Sequence, residues 1–182
     1  MAHLTIDQLE AGLDTIRQSP KDEGVLELIV RRPHVGEREV LEAGRLDPKD
    51  GLVGDSWKQR ASRRSADGLA HPDMQLNIIN ARAIGLIAQG KDRWPLAGDQ
   101  LFVDLDLSAE NLPPWTRLAL GEAVIEVTDQ PHTGCSKFMA RFGAAAVTFV
   151  NSTVGRELRL RGVNARVVKA GAIRVGDRVR KI

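Results

Sequence analysis

The chain has a single cysteine, Cys135, among 182 residues. One cysteine cannot close an internal disulfide, so the fold cannot depend on an oxidising compartment, and a free thiol persists most readily in reducing cytosol. Long apolar runs are missing as well. No segment approaches the roughly 18 consecutive apolar residues that a membrane-spanning helix needs. The first thirteen residues carry Asp7 and Glu10 where a signal peptide would have a basic start and an unbroken apolar stretch. A soluble, cytoplasmic protein without a membrane partner is expected. Excess charge is scarce: 26 basic against 24 acidic residues leave a formal +2, too little to indicate nucleic acid. His34 and His71 stand at no metal-ligand spacing to each other or to Cys135, which argues against zinc. No flavin or iron-sulfur signature, internal repeat, low-complexity tract or linker is present, and the length suits one hydrophobic core.

What is present points to strands. Seventeen glycines indicate many turns, and short β-branched runs recur between Gly, Pro and Asp at 25–30, 74–79, 99–106, 116–120, 123–127, 162–169 and 174–180. That spacing suggests a barrel or curled sheet. Helices are few. Thr5 and Gln8 form a capping box ahead of Ile6, Leu9, Leu13 and Ile16 at helical spacing, which predicts an amphipathic packing helix. Asn80 caps a second short helix that stops at Gly90. Phe138, Met139 and Phe142 place a third helix after Cys135. Residues 56–73, with Lys58, Arg60, Arg63 and Arg64 among small polar residues, read as an exposed loop. Trp57, Trp94 and Trp115 read as packing lids rather than a base-stacking platform.

Cys135 stands out by its setting. A structural cysteine usually sits in an apolar run, whereas this one follows Pro131, His132, Thr133 and Gly134 and precedes Ser136 and Lys137. That places it in a polar turn between a strand and a helix start. The helix N-terminus, the Lys137 cation and a protonated His132 would all favour the thiolate, which is both nucleophile and soft metal ligand. An inert cysteine in a turn is the competing reading, and the residues alone leave the two about even. Asn111 could meet the edge of a pterin or purine or simply hold a turn. Arg60, Arg63 and Arg64 could clamp a phosphate, and Arg82, at a helix start, is better placed to do so. Asp55 and Asp99, each after a glycine, read as turn caps.

Four segments in order resemble the MOSC family, whose domain also forms the C-terminal part of molybdenum-cofactor sulfurases. They are Gly36-Glu-Arg38 with Gly51-Leu-Val-Gly-Asp55; Gly98-Asp99 with Ala109-Glu-Asn-Leu112, where Ala109 replaces the family's first glycine; Thr128-Asp-Gln-Pro-His-Thr-Gly-Cys135; and Gly162 to Val168 with Ala172-Ile-Arg-Val-Gly-Asp-Arg-Val179, similar to the family's closing hairpin. The resemblance implies a β-rich α+β fold: a MOSC β-barrel resembling the barrel domain of pyruvate kinase, with short peripheral helices. It implies a helical appendage over 1–20 and a MOSC domain over 21–182. It also implies that the chain binds molybdenum cofactor (molybdopterin) or a related pterin, with Cys135 carrying sulfur as a persulfide or ligating molybdenum. Asn111, His132, Thr133, Lys137 and Arg82 are the expected cofactor contacts. These residues include no pyridoxal-phosphate domain, so that cofactor is not expected in the chain itself. The expected partners are a pyridoxal-phosphate-dependent cysteine desulfurase as sulfur donor and a molybdoenzyme or electron donor. Whether the chain is itself a sulfurtransferase is left open. One alternative is a molybdenum-dependent reductase of N-hydroxylated substrates. Another, from a different class, is a basic β-barrel nucleic-acid-binding module built on the arginine-rich C-terminal third.

Overall fold

A computed structural model describes residues 2–62 and 64–182. Its longest strand, β1 (Glu23–Arg31), comes from the apolar run of the expected first strand. A bulge between Leu26 and Leu28 flips its alternation, because an extra residue re-aims every side chain beyond it. Leu26 and Ile29 therefore face one core while Leu28 and Val30 face another. Six more strands complete the wall: β5 (Leu76–Asn80), β6 (Leu101–Asp104), β7 (Arg117–Leu120), β8 (Ala123–Val127), β9 (Val163–Lys169) and β11 (Arg178–Lys181). The circuit runs β1, β6, β5, β9, β8, β7, β11 and back to β1, closing a seven-stranded barrel. Closure removes the open edges that would invite pairing with another chain.

Among the described strands only β5 and β6 run parallel, and parallel neighbours require a crossover. It is made by α3 (Ala81–Ala88) and the 3-10 helix Lys91–Ala97. The Asn80 side chain caps α3 as expected, accepting from the Ala83 amide at 3.0 Å. β2 (Glu39–Leu41) extends the far end of β1. β3 (Ala43–Asp47), β4 (Gly51–Leu52) and β10 (Gly171–Arg174) form a separate three-stranded sheet, which contributes Leu46, Leu52 and Ile173 to the barrel core.

The outer core lies between the wall and the helices. Phe102 and Ile79 point outward to meet Phe138, Phe142 and Phe149 of α4 (Ser136–Asn151). Leu9 of α1 (Ile6–Ala11) and Ile16 of α2 (Leu13–Arg17) join the same cluster. The single N-terminal helix expected from residue 5 to 16 is thus two short ones divided at Gly12, which lies against Leu86. The Thr5 capping box is formed. The C-terminal region also differs from expectation. β9 pairs with β5 and β8, β10 with β3, and β11 with β1 and β7, so the described residues form no closing hairpin. The run over 174–180 is interrupted by a turn at Gly176, φ 92°.

Candidate functional site

Cys135 is exposed at the N-cap of α4, in the polar turn that joins β8 to that helix. A straight 16-residue helix would hold its ends about 24 Å apart. In this protein they touch, because α4 doubles back at Gly143, whose φ of 88° and ψ of 167° lie outside the helical region. Glycine is needed for that positive φ. It is also needed for space, since a Cβ there would run into the His3 ring. Asn151, at the far end of α4, closes the loop. Its Oδ1 accepts from the Gly134 amide at 2.9 Å and its Nδ2 donates to the Gly134 carbonyl at 3.1 Å. Gly134 in turn admits no side chain, as a Cβ would stand 2.8 Å from Val150 Cγ2. Upstream, Asn164 of β9 donates to the Gln130 carbonyl at 3.0 Å, and Arg64 donates to that of Pro131 at 3.1 Å. The turn bearing the thiol is held at three points.

The thiol opens on a cavity of about 590 Å³ walled by Arg32, Arg38, Arg60, Lys137, Arg141 and Arg161, with no carboxylate among its lining residues. Two of these cations are neutralised beneath the surface. Arg32 grips Asp55 through Nε and Nη2, both at 2.8 Å, and the two side chains are 4% and 0% exposed. Arg161 Nη1 meets both oxygens of Asp99 at 2.9 and 2.7 Å. Burial raises the Asp99 carboxyl pKa, against the opposing pull of Arg161 and Arg32. Asp55 also caps the 3-10 helix Ser56–Gln59 by accepting from the Trp57 amide at 2.9 Å. Both aspartates are therefore partners of buried arginines, a larger role than the turn caps expected of them. The other four cations have no acidic partner among the described residues. Arg38 and Arg141 donate only to the carbonyls of Pro95, Glu37 and Leu96, and Arg60 only to Ser56 Oγ. Burial, then repulsion from Arg141 and Arg32, pulls the Arg38 pKa down, and burial with Arg32 does the same to Arg60. Such a wall favours an anion, which would relieve that repulsion.

The structure separates the residues predicted for this site. Lys137 lines the thiol cavity. His132 and Thr133 line a second cavity on the other side of the turn. His132 is not the cation expected beside the thiol: burial first, then Arg161, Arg32 and Arg64, hold its pKa well below 6.5, so the imidazole is neutral at pH 7. Asn111 is absent from both cavity walls. It serves as a latch, donating to the carbonyls of Lys21 and Asp106 at 2.8 Å each and accepting from Lys181 Nζ at 3.0 Å. Arg82 is likewise elsewhere, paired with Asp104 through Nε and Nη2 and donating to the Thr15 carbonyl. Arg63 lies outside the described residues. Ala109 keeps a backbone outside the left-handed region, so the missing family glycine costs the turn nothing. The loop that begins at residue 56 is exposed as expected at residues 58–61, 64 and 66–69, and the buried Ser56 and Trp57 anchor its start. Trp94 is buried too, whereas Trp115 is half exposed beneath Arg166.

Reasoning from sequence missed Arg38, Arg141, Asn151 and Asn164. Asn164 left a signal, being an amide in the interior of an apolar strand. The others left none, because what they share is position in space.

Comparison with known proteins agrees with the barrel. YuaD from Bacillus subtilis superposes with a TM-score of 0.64 at 16% identity, over 86% of this chain and 94% of that one. YiiM from Escherichia coli gives 0.55 at 18% identity, over 87% and 69%, and YiiM from Geobacillus stearothermophilus 0.54 at 12%, over 90% and 74%. No curated protein matches the sequence. Among the described residues, no helix is long and apolar enough to cross a membrane. The family model for the MOSC domain matches residues 70–180, a span that includes Cys135 and five of the seven barrel strands complete, and the chain therefore belongs to the MOSC domain family.

Proposed function

We propose that the cavity beside Cys135 binds molybdenum cofactor or a closely related pterin, with the cationic wall taking its phosphate and the Cys135 thiolate serving as a soft ligand to the metal. The observation that carries this reading is the pairing of an exposed thiol with four cations that lack acidic partners in one concavity. The donor set suits such a group. Guanidinium forks match phosphate oxygens in pairs, and a thiolate suits a thiophilic metal. When bound, the cofactor supplies two-electron redox chemistry at molybdenum, as a reductase of N-hydroxylated compounds requires. The chain's own residues hold the anion, present the thiol and keep acidic groups away from the wall. A concave site also favours a small ligand over a nucleic-acid strand, which needs an extended groove with interleaved aromatics. In this role the protein draws electrons from a separate donor.

The exposure of Cys135 supports a second form of the reading, sulfur carriage. Its thiolate attacks the outer sulfur of a persulfide on a cysteine desulfurase, the donor cysteine leaves as thiolate, and Cys135 retains the sulfur. Protein purified from a host able to make the cofactor separates the two. Metal analysis and pterin fluorescence should show molybdenum and pterin together in the wild type. Cys135→Ser should lose metal ligation while retaining pterin, and Arg38→Glu with Arg60→Glu should lose both. A preparation with neither metal nor pterin would overturn the cofactor reading. Incubation with a desulfurase followed by mass spectrometry tests the other form, which fails if a reactive Cys135 gains no sulfur.

A further inference from the structure

The second cavity, of about 440 Å³, lies behind the turn that carries the thiol and shares only Arg161 with the first. Its volume falls in the range of small-molecule sites. Its charges are unusual. Arg156 is exposed on α5 (Thr153–Glu157), and no hydrogen bond or ion pair among the described residues engages its side chain. Arg159 donates only to the Leu112 carbonyl, at 2.6 Å, and partial burial lowers its pKa with no carboxylate to offset the cost. The Arg159 backbone is left-handed, φ 48°, a conformation that glycine adopts freely and that other residues hold only when the surroundings impose it. A guanidinium is thus kept at this wall in a position that suits glycine better. Two buried polar atoms of lining residues, His132 Nδ1 and Arg161 Nε, lack a hydrogen-bond partner. His132 Nδ1 stands 3.6 Å from Asp99 Oδ1, too far for a hydrogen bond. Against this the wall offers one acid, the exposed Asp129, already accepting from Gln130 at 2.9 Å.

We infer that this cavity is a second binding site, for a small organic molecule bearing an oxyanion group, carboxylate or phosphate, held between Arg156 and Arg159 with Thr133 and His132 offering hydrogen bonds from the facing loop. It is separate from the cavity proposed for the cofactor, and it stands or falls independently of that reading.

Calorimetric titration of the full chain with inorganic phosphate and with succinate, and with succinamide as the neutral control, tests it. At least one anion should bind saturably and the amide should not. Tighter phosphate points to a phosphorylated ligand and tighter succinate to a carboxylate, and either supports the site. Arg156→Ala, at an exposed position, should weaken binding roughly tenfold or more. Arg159→Gly removes the guanidinium while suiting the left-handed backbone, so it should fold and show the same loss. Arg60→Ala alters the other cavity and not this one, so any phosphate held there should weaken in this variant, while the binding component lost in Arg156→Ala and Arg159→Gly should persist. The inference is overturned if neither anion saturates, if succinamide binds equally well, or if Arg60→Ala abolishes binding that Arg156→Ala and Arg159→Gly retain.

Discussion

Replacing Asn151 by alanine should loosen the thiol's turn without touching the thiol. The side chain bridges both polar groups of Gly134, at 2.9 and 3.1 Å, and it joins the two ends of a helix that folds back on itself. A typical hydrogen bond contributes about 0.5–1.5 kcal/mol net, and a polar group left unsatisfied on burial costs more. Because the site is only half buried, water recovers part of that loss, and about 2 kcal/mol in total is expected. For a chain of this size each kcal/mol lowers Tm by roughly 2–4 °C, which gives a fall of about 4–8 °C by calorimetry. The same variant should alkylate faster at Cys135 under limiting iodoacetamide, since the turn samples more conformations. Asn151→Asp retains the acceptor for the Gly134 amide and loses the donor to its carbonyl, so it should fall between the two. Unchanged Tm and alkylation in Asn151→Ala would refute the claim that the far end of α4 positions the cysteine.

Acid should expose the buried imidazole. The unfolded chain binds a proton at His132 near pH 6.5 that the folded chain refuses, so folding stability should decline as pH falls below about 6.5, by up to ~1.4 kcal/mol per pH unit. Urea denaturation of wild type and His132→Gln between pH 7 and 5 checks this, and parallel pH profiles would contradict it. At the other buried pair, Asp55→Ala leaves Arg32 charged and unpaired beneath the thiol cavity and also uncaps Trp57. A loss of about 3–5 kcal/mol is expected, and a loss under about 1 kcal/mol by the same denaturation assay would show that Arg32 finds water instead.

Much of the barrel was legible because β-branched runs between turn residues carry their own signal, and the strands at 25–30, 123–127 and 162–169 lie where that signal predicts. Strand spacing alone left the choice between a closed barrel and a curled sheet open, and the family resemblance pointed to the barrel. Which strands close it was not legible, since pairing of β1 with β11 is a long-range fact with no local pattern. The cysteine's polar neighbours placed it in a turn between a strand and a helix start, and it lies at the N-cap of α4 after β8. Its cationic surroundings were hidden, for Arg32, Arg38, Arg60, Arg141 and Arg161 come from separate stretches of chain that only the barrel rim brings together. Asn111 misled for a related reason. An asparagine in a loop signals a need for hydrogen bonds, and its partners, Lys21 and Lys181, come from near the two ends of the chain. His132 misled through its surroundings: beside a thiol in sequence it suggests a cation, but burial among arginines keeps it neutral.

The seam between β1 and β11 has a consequence for how the protein is made. Glu23 pairs with Arg180 in register, and an ion pair joins Glu23 to Arg178, 155 residues further along. The start of the first wall strand to leave the ribosome, Glu23 to Val25, must wait for the last strand, and that stretch of its edge stays unmatched until then. Contacts so distant in sequence slow folding and lengthen the time during which strand edges are open to wrong partners. The β6 and β2 pairings along the rest of β1 offer earlier cover. Synthesis rate and chaperone supply should therefore govern yield, more than the stability of the finished barrel.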